Sequence, residues 1–229
     1  MAMSKPKILC LHGFAESADV FKIRSRRIRE LIGDHAELVY IDGPIDIGSL
    51  RFTTQDETLH SANEFTNLGW WWWKQTGKTT ELRGIGKTMD LLATVLEEQG
   101  PFDGIMGFSQ GASLAILLAQ ILHTNQDALK FPRPVSHPPI KFLVLAGAFA
   151  VEPKEYQSIY KNKLDTPSLH MMGEYDTVID IERSRKMATV FESPVCFEFR
   201  GGHFIPQTTE CIKVVQSFLA PFIPGINKA

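Results

Sequence analysis

Apolar residues in this chain fall into short continuous runs, and segments with helical periodicity separate most of these runs. Short continuous apolar runs are typical of strands that are covered on both faces of a sheet. The runs lie at Lys7–Phe14, Ala36–Asp42, Phe102–Phe108, Ile140–Phe149, Pro167–Glu174 and Val195–Arg200. The pattern therefore predicts a sheet of buried, mostly parallel strands.

Segments with apolar residues at three- and four-residue spacing predict the helices. Ser17–Ile32 predicts one continuous helix, because Gly33 directly after it is a common helix terminator. The other predicted helices lie at about Leu82–Leu96, from Gln110 onward, at about Asp180–Phe191 and at about Gln207–Leu219. The alternation of strands and helices predicts an α/β fold with a doubly wound sheet and helices on both faces.

The stretch from Gly43 to about Thr80 breaks this alternation. It mixes polar residues with four consecutive tryptophans, Trp70–Trp73. Irregular stretches this long are usually functional or disordered, and the aromatic content argues against disorder. We interpret it as a cap-like excursion at about 43–80 within a single domain that spans residues 1–229.

Composition and charge narrow the function classes. The chain has 24 Lys plus Arg and 26 Asp plus Glu, which gives a formal net charge of −2, so no nucleic-acid partner is expected. No apolar run approaches the roughly 20 residues that a membrane-spanning helix needs. The first residues also lack the apolar core of a secretion signal. We therefore expect a cytoplasmic protein, and association between copies of the chain is left open.

The cysteines indicate neither a disulfide framework nor a metal site. Cys10, Cys196 and Cys211 are odd in number, and no two have the spacing of metal ligands. Cys10 and Cys196 lie in predicted strands, where buried thiols are common. We expect reduced structural cysteines and neither a metal nor an organic cofactor.

A Gly-x-Ser-x-Gly motif follows the third predicted strand. It occupies Gly107–Gly111, with Ser109 at its centre, and the next helix opens with small residues. Between a strand and a helix, this motif makes a sharp turn that presents the serine as a nucleophile. Ligands bind beyond the carboxyl ends of the strands in open α/β sheets, which is where Ser109 is expected. The alternative is a tight turn whose serine takes no part in chemistry.

A serine nucleophile needs a histidine base and a carboxylate that orients it, here in the chain order serine, acid, histidine. His203 follows two glycines after the last predicted strand and fits the base. His170 lies in mid-strand and is expected in the core. Asp176, in the loop after the preceding strand, is the predicted acid. Asp180 is the second candidate, although its position is typical of a helix N-cap.

Acyl transfer also needs two backbone N–H groups that hold the oxyanion of the tetrahedral intermediate. Gln110, the residue after the nucleophile, is predicted to supply one. Phe14, in the His12-Gly13-Phe14 turn after the first predicted strand, is predicted to supply the other.

Six motifs occur along the chain in the order LCLHGF, YIDGP, GWWWW, GPFDGIMGFSQGA, GEYDTVI and RGGHFIPQ. In these motifs and their order, the chain resembles the FSH serine hydrolase family over nearly its whole length. Its GFSQGA also resembles acyl-protein thioesterases. The resemblance implies an α/β-hydrolase fold that acts on carboxylic esters or thioesters. It also implies Ser109 as nucleophile, Asp176 as acid and His203 as base. The run of four tryptophans and the Pro-rich connector at Phe131–Pro139 depart from the family pattern and bear on substrate choice.

Four consecutive tryptophans cannot all face one core, because side chains alternate in a strand and fan around the axis in a helix. Two interpretations remain open. The cluster could fix the excursion to the domain or form a contact between copies. Alternatively, at least one of Trp71 and Trp72 walls an apolar acyl groove beside Ser109, and we favour this second interpretation.

The predicted function is therefore a serine hydrolase that cleaves a small-molecule ester or thioester with an apolar acyl chain, through an acyl-enzyme intermediate. A thioesterase dedicated to releasing an acyl or polyketide product from a carrier would use the same residues. Outside enzymes, the alternative is a binding module with a hydrolase fold, and the three filled catalytic positions argue against it. A nucleotide-binding domain is disfavoured, since no Gly-x-Gly-x-x-Gly follows the first strand.

Overall fold

A computed structural model describes residues 5–48, 67–76, 79–124, 131–151 and 154–228 of the chain. Its helices are α1 Ala18–Arg24, α2 Arg26–Ile32, α3 Ile85–Gln99, α4 Gln110–Thr124, α5 Ile181–Ala188 and α6 Thr209–Leu219. Its strands are β1 Lys7–Leu11, β2 Glu37–Ile41, β3 Ile45–Asp46, β4 Leu68–Gly69, β5 Trp72–Thr76, β6 Thr79–Arg83, β7 Gly104–Phe108, β8 Phe142–Ala146, β9 Ser168–Gly173 and β10 Pro194–Phe199.

Six strands form one sheet in the order β10-β9-β8-β7-β1-β2, and every neighbouring pair is parallel. Each of these strands overlaps one of the predicted apolar runs, so the predicted parallel sheet is confirmed. The chain places β2 on one side of β1 and β7 on the other. The direction in which successive strands are added to the sheet therefore reverses at β1. In open α/β sheets, ligands bind in the crevice that such a reversal opens, here at the carboxyl ends of β1 and β7.

Alternate side chains of the central strands enter two separate cores. In β1, Ile8 and Cys10 join one core and Leu9 and Leu11 join the other, and all four are buried. The first core includes side chains of α1, α2 and α6, and the second includes side chains of α3, α4 and α5. Because helices cover both faces, the strands appear in the sequence as continuous apolar runs.

The prediction of one helix at Ser17–Ile32 is wrong, because the structure divides it at Ser25. The backbone of Ser25 leaves the helical region at φ −91° and ψ 13°. Its hydroxyl donates to the Phe21 carbonyl at 2.7 Å and lies 2.8 Å from the Tyr40 hydroxyl. A serine hydroxyl that bonds to the preceding helical turn bends the helix, and apolar periodicity does not reveal this effect.

The excursion predicted at about 43–80 contains short strands in its described parts, while residues 49–66 lie outside the described ranges. β3 and β4 pair antiparallel, and the Ile47 N–H donates to the Asn67 carbonyl at 2.8 Å, so the two arms of the excursion meet. β5 and β6 form an antiparallel hairpin. Leu82, which periodicity assigned to the next helix, lies in β6. α3 begins only after Gly84, whose φ of +86° disfavours any side chain.

The three cysteines differ in burial. Cys10 and Cys211 are buried free thiols, but Cys196 is exposed. The expectation of a buried Cys196 is wrong, because β10 is the edge strand of the sheet and several of its side chains are exposed to solvent.

Among the described helices, none combines the length and apolar character needed to cross a bilayer.

His170 lies in the middle of β9 and is buried, as expected. Its Nε2 is 3.1 Å from the Ser168 hydroxyl, and its ring packs edge-on against Phe191. Burial lowers the pKa of His170 from 6.5 to about 4. The unfolded chain therefore binds the proton of His170 more tightly than the folded chain does. As a result, the stability of the fold decreases as the pH drops from 6.5 towards about 4.

Acidification from pH 7 to pH 4 is expected to lower the free energy of unfolding by about 3 kcal/mol through His170 alone. His170→Gln keeps a polar partner for Ser168 and should remove this part of the pH dependence. Urea unfolding at several pH values measures the effect, with His123→Gln at an exposed position as the control. An unchanged pH dependence in His170→Gln would contradict the expectation.

Candidate active site

β7, α4 and the turn between them place Ser109 at the carboxyl edge of the sheet. Ser109 has φ +53°, in the left-handed region that a residue other than glycine rarely adopts. A Cβ on Gly111 would lie 2.1 Å from the Leu11 carbonyl oxygen, and one on Gly107 would lie 2.5 Å from the Gly111 oxygen. The close backbone approach therefore requires both glycines of the motif, and it holds Ser109 at the apex of the turn.

Two hydrogen bonds join Ser109, His203 and Asp176. His203 Nε2 lies 2.8 Å from Ser109 Oγ, and His203 Nδ1 lies 2.7 Å from Asp176 Oδ2. The side chains of His203 and Asp176 are only 16% and 3% exposed. The structure thus brings together the three residues predicted as nucleophile, base and acid. This arrangement can move a proton from the serine hydroxyl to the imidazole.

The backbone of the loop after β9 orients Asp176. Its Oδ1 accepts from the N–H groups of Val178 at 2.9 Å and Ile179 at 2.8 Å, which leaves Oδ2 for His203. Asp180, the second candidate, caps α5 through a bond of 2.8 Å to an N–H group of the first turn. Of the two candidates, it is Asp176 that contacts the histidine.

The loop after β1 and the start of α4 carry the two predicted oxyanion donors. The Phe14 N–H has no hydrogen-bond partner among the described residues, and Gln110 opens α4, where N–H groups lack partners within the helix. The neighbouring Gly13 N–H instead donates to Oε2 of buried Glu16 at 3.1 Å. Glu16 also pairs with Arg24 at 2.8 Å, and burial raises the pKa of Glu16.

Of the other histidines, His123 and His137 have partners away from Ser109, and His60 lies outside the described part of the chain. His123 is 3.7 Å from Asp165, and His137 Nε2 accepts from the Phe102 N–H at 2.8 Å. His60 falls in the range that is not described. Within the described ranges, no group of three or more His, Cys, Asp or Glu side chains could hold a metal ion.

The four tryptophans have different surroundings. Trp70 and Trp71 are fully buried, whereas Trp72 and Trp73 are half-buried in β5. Trp72 lies against Gly84, on which an added Cβ would be 2.7 Å from its ring. Trp70 and Trp71 belong to the same buried core, and Trp73 packs against it. The four rings therefore do not all lie in one core, but their grouping does not follow the strict alternation of an extended strand.

Trp73 joins three aromatic rings near the loop that follows β1. Its ring centroid lies 6.0 Å from that of Phe14, 6.3 Å from that of Phe149 and 6.1 Å from that of Trp71. We call Phe14, Trp73 and Phe149 the aromatic wall. Sequence reasoning missed Trp73 and Phe149. Two features of the sequence could have indicated these residues. Phe149 follows the carboxyl end of β8, and Trp73 lies two positions after Trp71, on the same face of an extended segment.

Comparison with known sequences places these features in a family. Residues 1–215 match the family described as Serine hydrolase (FSH1). Esterase OVCA2 of Homo sapiens is 30% identical over 233 residues, which cover 97% of this chain and 99% of that protein. A Schizosaccharomyces pombe protein named Dihydrofolate reductase is 34% identical over 211 residues, which cover 90% of this chain and 45% of that protein. The chain spans about half the length of this relative and of a second one from the same yeast.

Comparison with solved structures shows the fold. Acyl-protein thioesterase 2 of Zea mays aligns with a TM-score of 0.60, covering 94% of both chains at 16% identity. Esterase PE8 aligns with a TM-score of 0.61, covering 96% of this chain and 94% of that one at 18% identity. The fold is thus the α/β-hydrolase fold implied by the sequence. Together with the family match and the relatives named esterase, this fold shows that the chain belongs to the FSH1 family of serine hydrolases.

Proposed function

We propose that the enzyme hydrolyses carboxylic esters or thioesters with an apolar acyl chain, through an acyl-enzyme intermediate on Ser109. The observation that carries the proposal is that His203 lies within hydrogen-bond distance of both Ser109 and Asp176, at 2.8 and 2.7 Å. A base within reach of the hydroxyl, itself oriented by a carboxylate, is the arrangement that activates a serine.

In the first step His203 Nε2 takes the proton of Ser109 as Oγ attacks the acyl carbonyl carbon. Asp176 accepts the Nδ1–H, so Nε2 carries the free lone pair. The N–H groups of Phe14 and Gln110 stabilise the oxyanion. The protonated histidine then gives its proton to the leaving oxygen or sulfur as the ester bond breaks.

In the second step water releases the acid. His203 removes a proton from the water molecule as its oxygen attacks the carbonyl carbon of the acyl-enzyme. The bond between Ser109 Oγ and the acyl carbon breaks, and the proton returns from His203 to Ser109. The products are the carboxylic acid and the free enzyme.

The aromatic wall supports an apolar acyl chain as the substrate. Phe14 belongs both to the wall and to the loop that donates to the oxyanion, so a chain attached to the carbonyl would pass along Trp73 and Phe149. Trp71 lies behind Trp73 in edge-on contact. The contribution of Trp71 or Trp72 to substrate binding stays a prediction, and we propose that Trp71 acts through Trp73.

Covalent labelling combined with ester hydrolysis tests the proposal. A fluorophosphonate probe is expected to add one label per chain, on the peptide that contains Ser109, and to stop the hydrolysis of p-nitrophenyl esters. Mass spectrometry of the digested protein locates the label. A label on another residue, or hydrolysis that survives complete labelling, would reject the proposal.

We expect kcat/KM for p-nitrophenyl esters to rise about 60-fold from acetyl to octanoyl. A buried methylene contributes up to about 0.8 kcal/mol, so the roughly six added methylenes set a ceiling near 5 kcal/mol. A chain that is only partly covered by the aromatic wall should gain about half of that free energy. This gain corresponds to the rise of about 60-fold in kcat/KM. A series of esters of increasing chain length measures the rise.

Tryptophan variants test where the chain lies. Trp73→Ala should flatten the rise more than it lowers acetyl turnover, and Trp71→Ala should have a smaller effect of the same kind. Trp72→Ala, at the ring that lies against Gly84, is the matched comparison. If all three variants keep the wild-type slope and lose only thermal stability, the cluster is a structural clamp and the acyl chain binds elsewhere.

A further inference from the structure

The two proposed oxyanion donors belong to separate parts of the chain, and their spacing needs a physical cause. Phe14 lies in the loop after β1, and Gln110 lies at the start of α4. An oxyanion hole works only if both N–H groups are held at hydrogen-bond distance from one oxygen. A displacement of about 1 Å can cost on the order of a hundredfold in rate. Something must therefore hold these two segments in register.

The side chain of Gln110 is one half of such a connection. Its Oε1 accepts from the Trp70 N–H at 2.9 Å, and its Nε2 donates to the Trp71 carbonyl at 2.9 Å. All three residues are fully buried. The amide thus pairs with the tryptophan backbone through both of its polar atoms, which fixes the rotation of the side chain and the position of its own backbone.

The indole of Trp70 is the other half. Its Nε1–H donates to the His12 carbonyl at 2.8 Å, and its ring lies 4.8 Å from the imidazole of His12, measured between ring centroids. The Trp70 carbonyl in turn accepts from the Thr88 hydroxyl, which anchors the segment to α3. Trp70 therefore reaches from the side chain of Gln110 to the loop that carries Phe14.

His12 completes the loop end of this connection. Its Nε2 accepts from the Gly43 N–H at 2.8 Å, and its Nδ1 lies 2.7 Å from the Gly13 carbonyl oxygen. These partners fit the neutral imidazole with its proton on Nδ1. Burial lowers the pKa of His12, which favours the same neutral form. The carbonyl of His12 is thus held in place for the Trp70 indole.

We propose that Gln110, through its side chain, and Trp70, through its indole N–H, are positioning residues that set the distance between the two oxyanion donors. This inference rests on the proposed function, because it concerns the transition state of the same reaction. It also gives the tryptophan cluster a second role, since Trp70 carries a hydrogen bond that phenylalanine could not make.

Gln110→Met tests the proposal, because methionine has a similar length and makes neither bond. We expect kcat to fall about tenfold to a hundredfold, while KM stays within about threefold of the wild type. The affinity for an alkylboronic acid, which forms a tetrahedral adduct with the serine, should fall by the same factor as kcat. The affinity for the carboxylic acid product should change little, because it does not carry the tetrahedral oxyanion.

Gln120→Met is the matched control. Gln120 lies on the same helix, is equally buried and donates to the Asn162 carbonyl at 3.0 Å. The Gln120→Met variant should lose thermal stability as Gln110→Met does, but its kcat and its affinity for the boronic acid should match those of the wild type. If Gln110→Met keeps kcat within threefold of this control, or loses kcat with unchanged boronic acid affinity, the proposal is wrong.

Trp70→Phe provides a second variant, which retains most of the ring and deletes the N–H. We expect the same pattern of reduced kcat, retained KM and weakened boronic acid binding. If Gln110→Met does not fold, Trp70→Phe alone tests the positioning role. A wild-type protein that hydrolyses no ester and takes up no probe at Ser109 would instead reject the proposed function itself. Active, labelled enzyme together with unaffected variants would reject only the positioning role.

Discussion

Ser109→Ala is expected to abolish ester hydrolysis and fluorophosphonate labelling while the fold is retained. The substitution removes one oxygen from a side chain whose hydrogen bond in the structure goes to His203, so the cost to stability should be small. Loss of a serine nucleophile typically lowers kcat by several orders of magnitude, and the residual rate comes from the remaining binding and oxyanion groups. Initial rates with p-nitrophenyl esters and intact-protein mass spectrometry measure both effects.

A second serine provides the control for this experiment. Ser25 is buried, and its hydroxyl donates to the Phe21 carbonyl rather than to His203 or Asp176. Ser25→Ala should lower thermal stability and leave hydrolysis and labelling in place. If Ser109→Ala retains more than about a tenth of the wild-type rate, the nucleophile is another residue, since the expected loss is far larger.

Asp176→Asn is expected to lower kcat by about a thousandfold to ten-thousandfold, because it imposes the wrong tautomer on His203. Asp176 Oδ1 accepts two backbone N–H groups, from Val178 and Ile179. In the variant the amide oxygen must keep that position, so its NH₂ group faces Nδ1 of the histidine. Nδ1 then accepts a hydrogen bond, the proton moves to Nε2, and Nε2 can no longer take the proton of Ser109.

Asp180→Ala is the matched comparison, because Asp180 lies in the same loop and caps α5. The lost cap should cost about 1 kcal/mol of stability, which lowers the melting temperature by about 2–4 °C for a chain of this size. Its kcat should stay close to that of the wild type. Rate and melting measurements on both variants separate the roles, and the reverse pattern would make Asp180 the acid.

The sheet and the placement of the triad residues could be predicted for one physical reason. Parallel strands with both faces covered are continuously apolar, and polar residues directly after them, such as Ser109 and Asp176, must gather at one edge. His203 follows from the same argument, because it comes after the last strand. The sequence pattern therefore predicted which side chains lie close together, and the structure brings them within hydrogen-bond distance.

Other features depend on contacts that no local pattern contains. The hydrogen bond between Gln110 and Trp70 joins residues 40 positions apart, and nothing in the sequence around either residue indicates the partner. At the helix break, the Ser25 hydroxyl also contacts Tyr40, which lies in β2 and is distant in sequence. The exposure of Cys196 depends on its strand being last in the sheet, which is a property of topology rather than of composition.

The paired arms of the excursion have a consequence for how relatives of this enzyme can differ. Ile45 pairs with Gly69 and Asp46 with Leu68, and Glu16 also bonds to Leu68 through the backbone. The chain between these arms starts and ends at one fixed place, beside the wall that we propose for the acyl group. Doubling the length of such a connection costs only about 0.6 kcal/mol in closure entropy. Insertions and deletions within 49–66 should therefore cost little stability and leave the paired arms and the arrangement of Ser109, His203 and Asp176 unchanged.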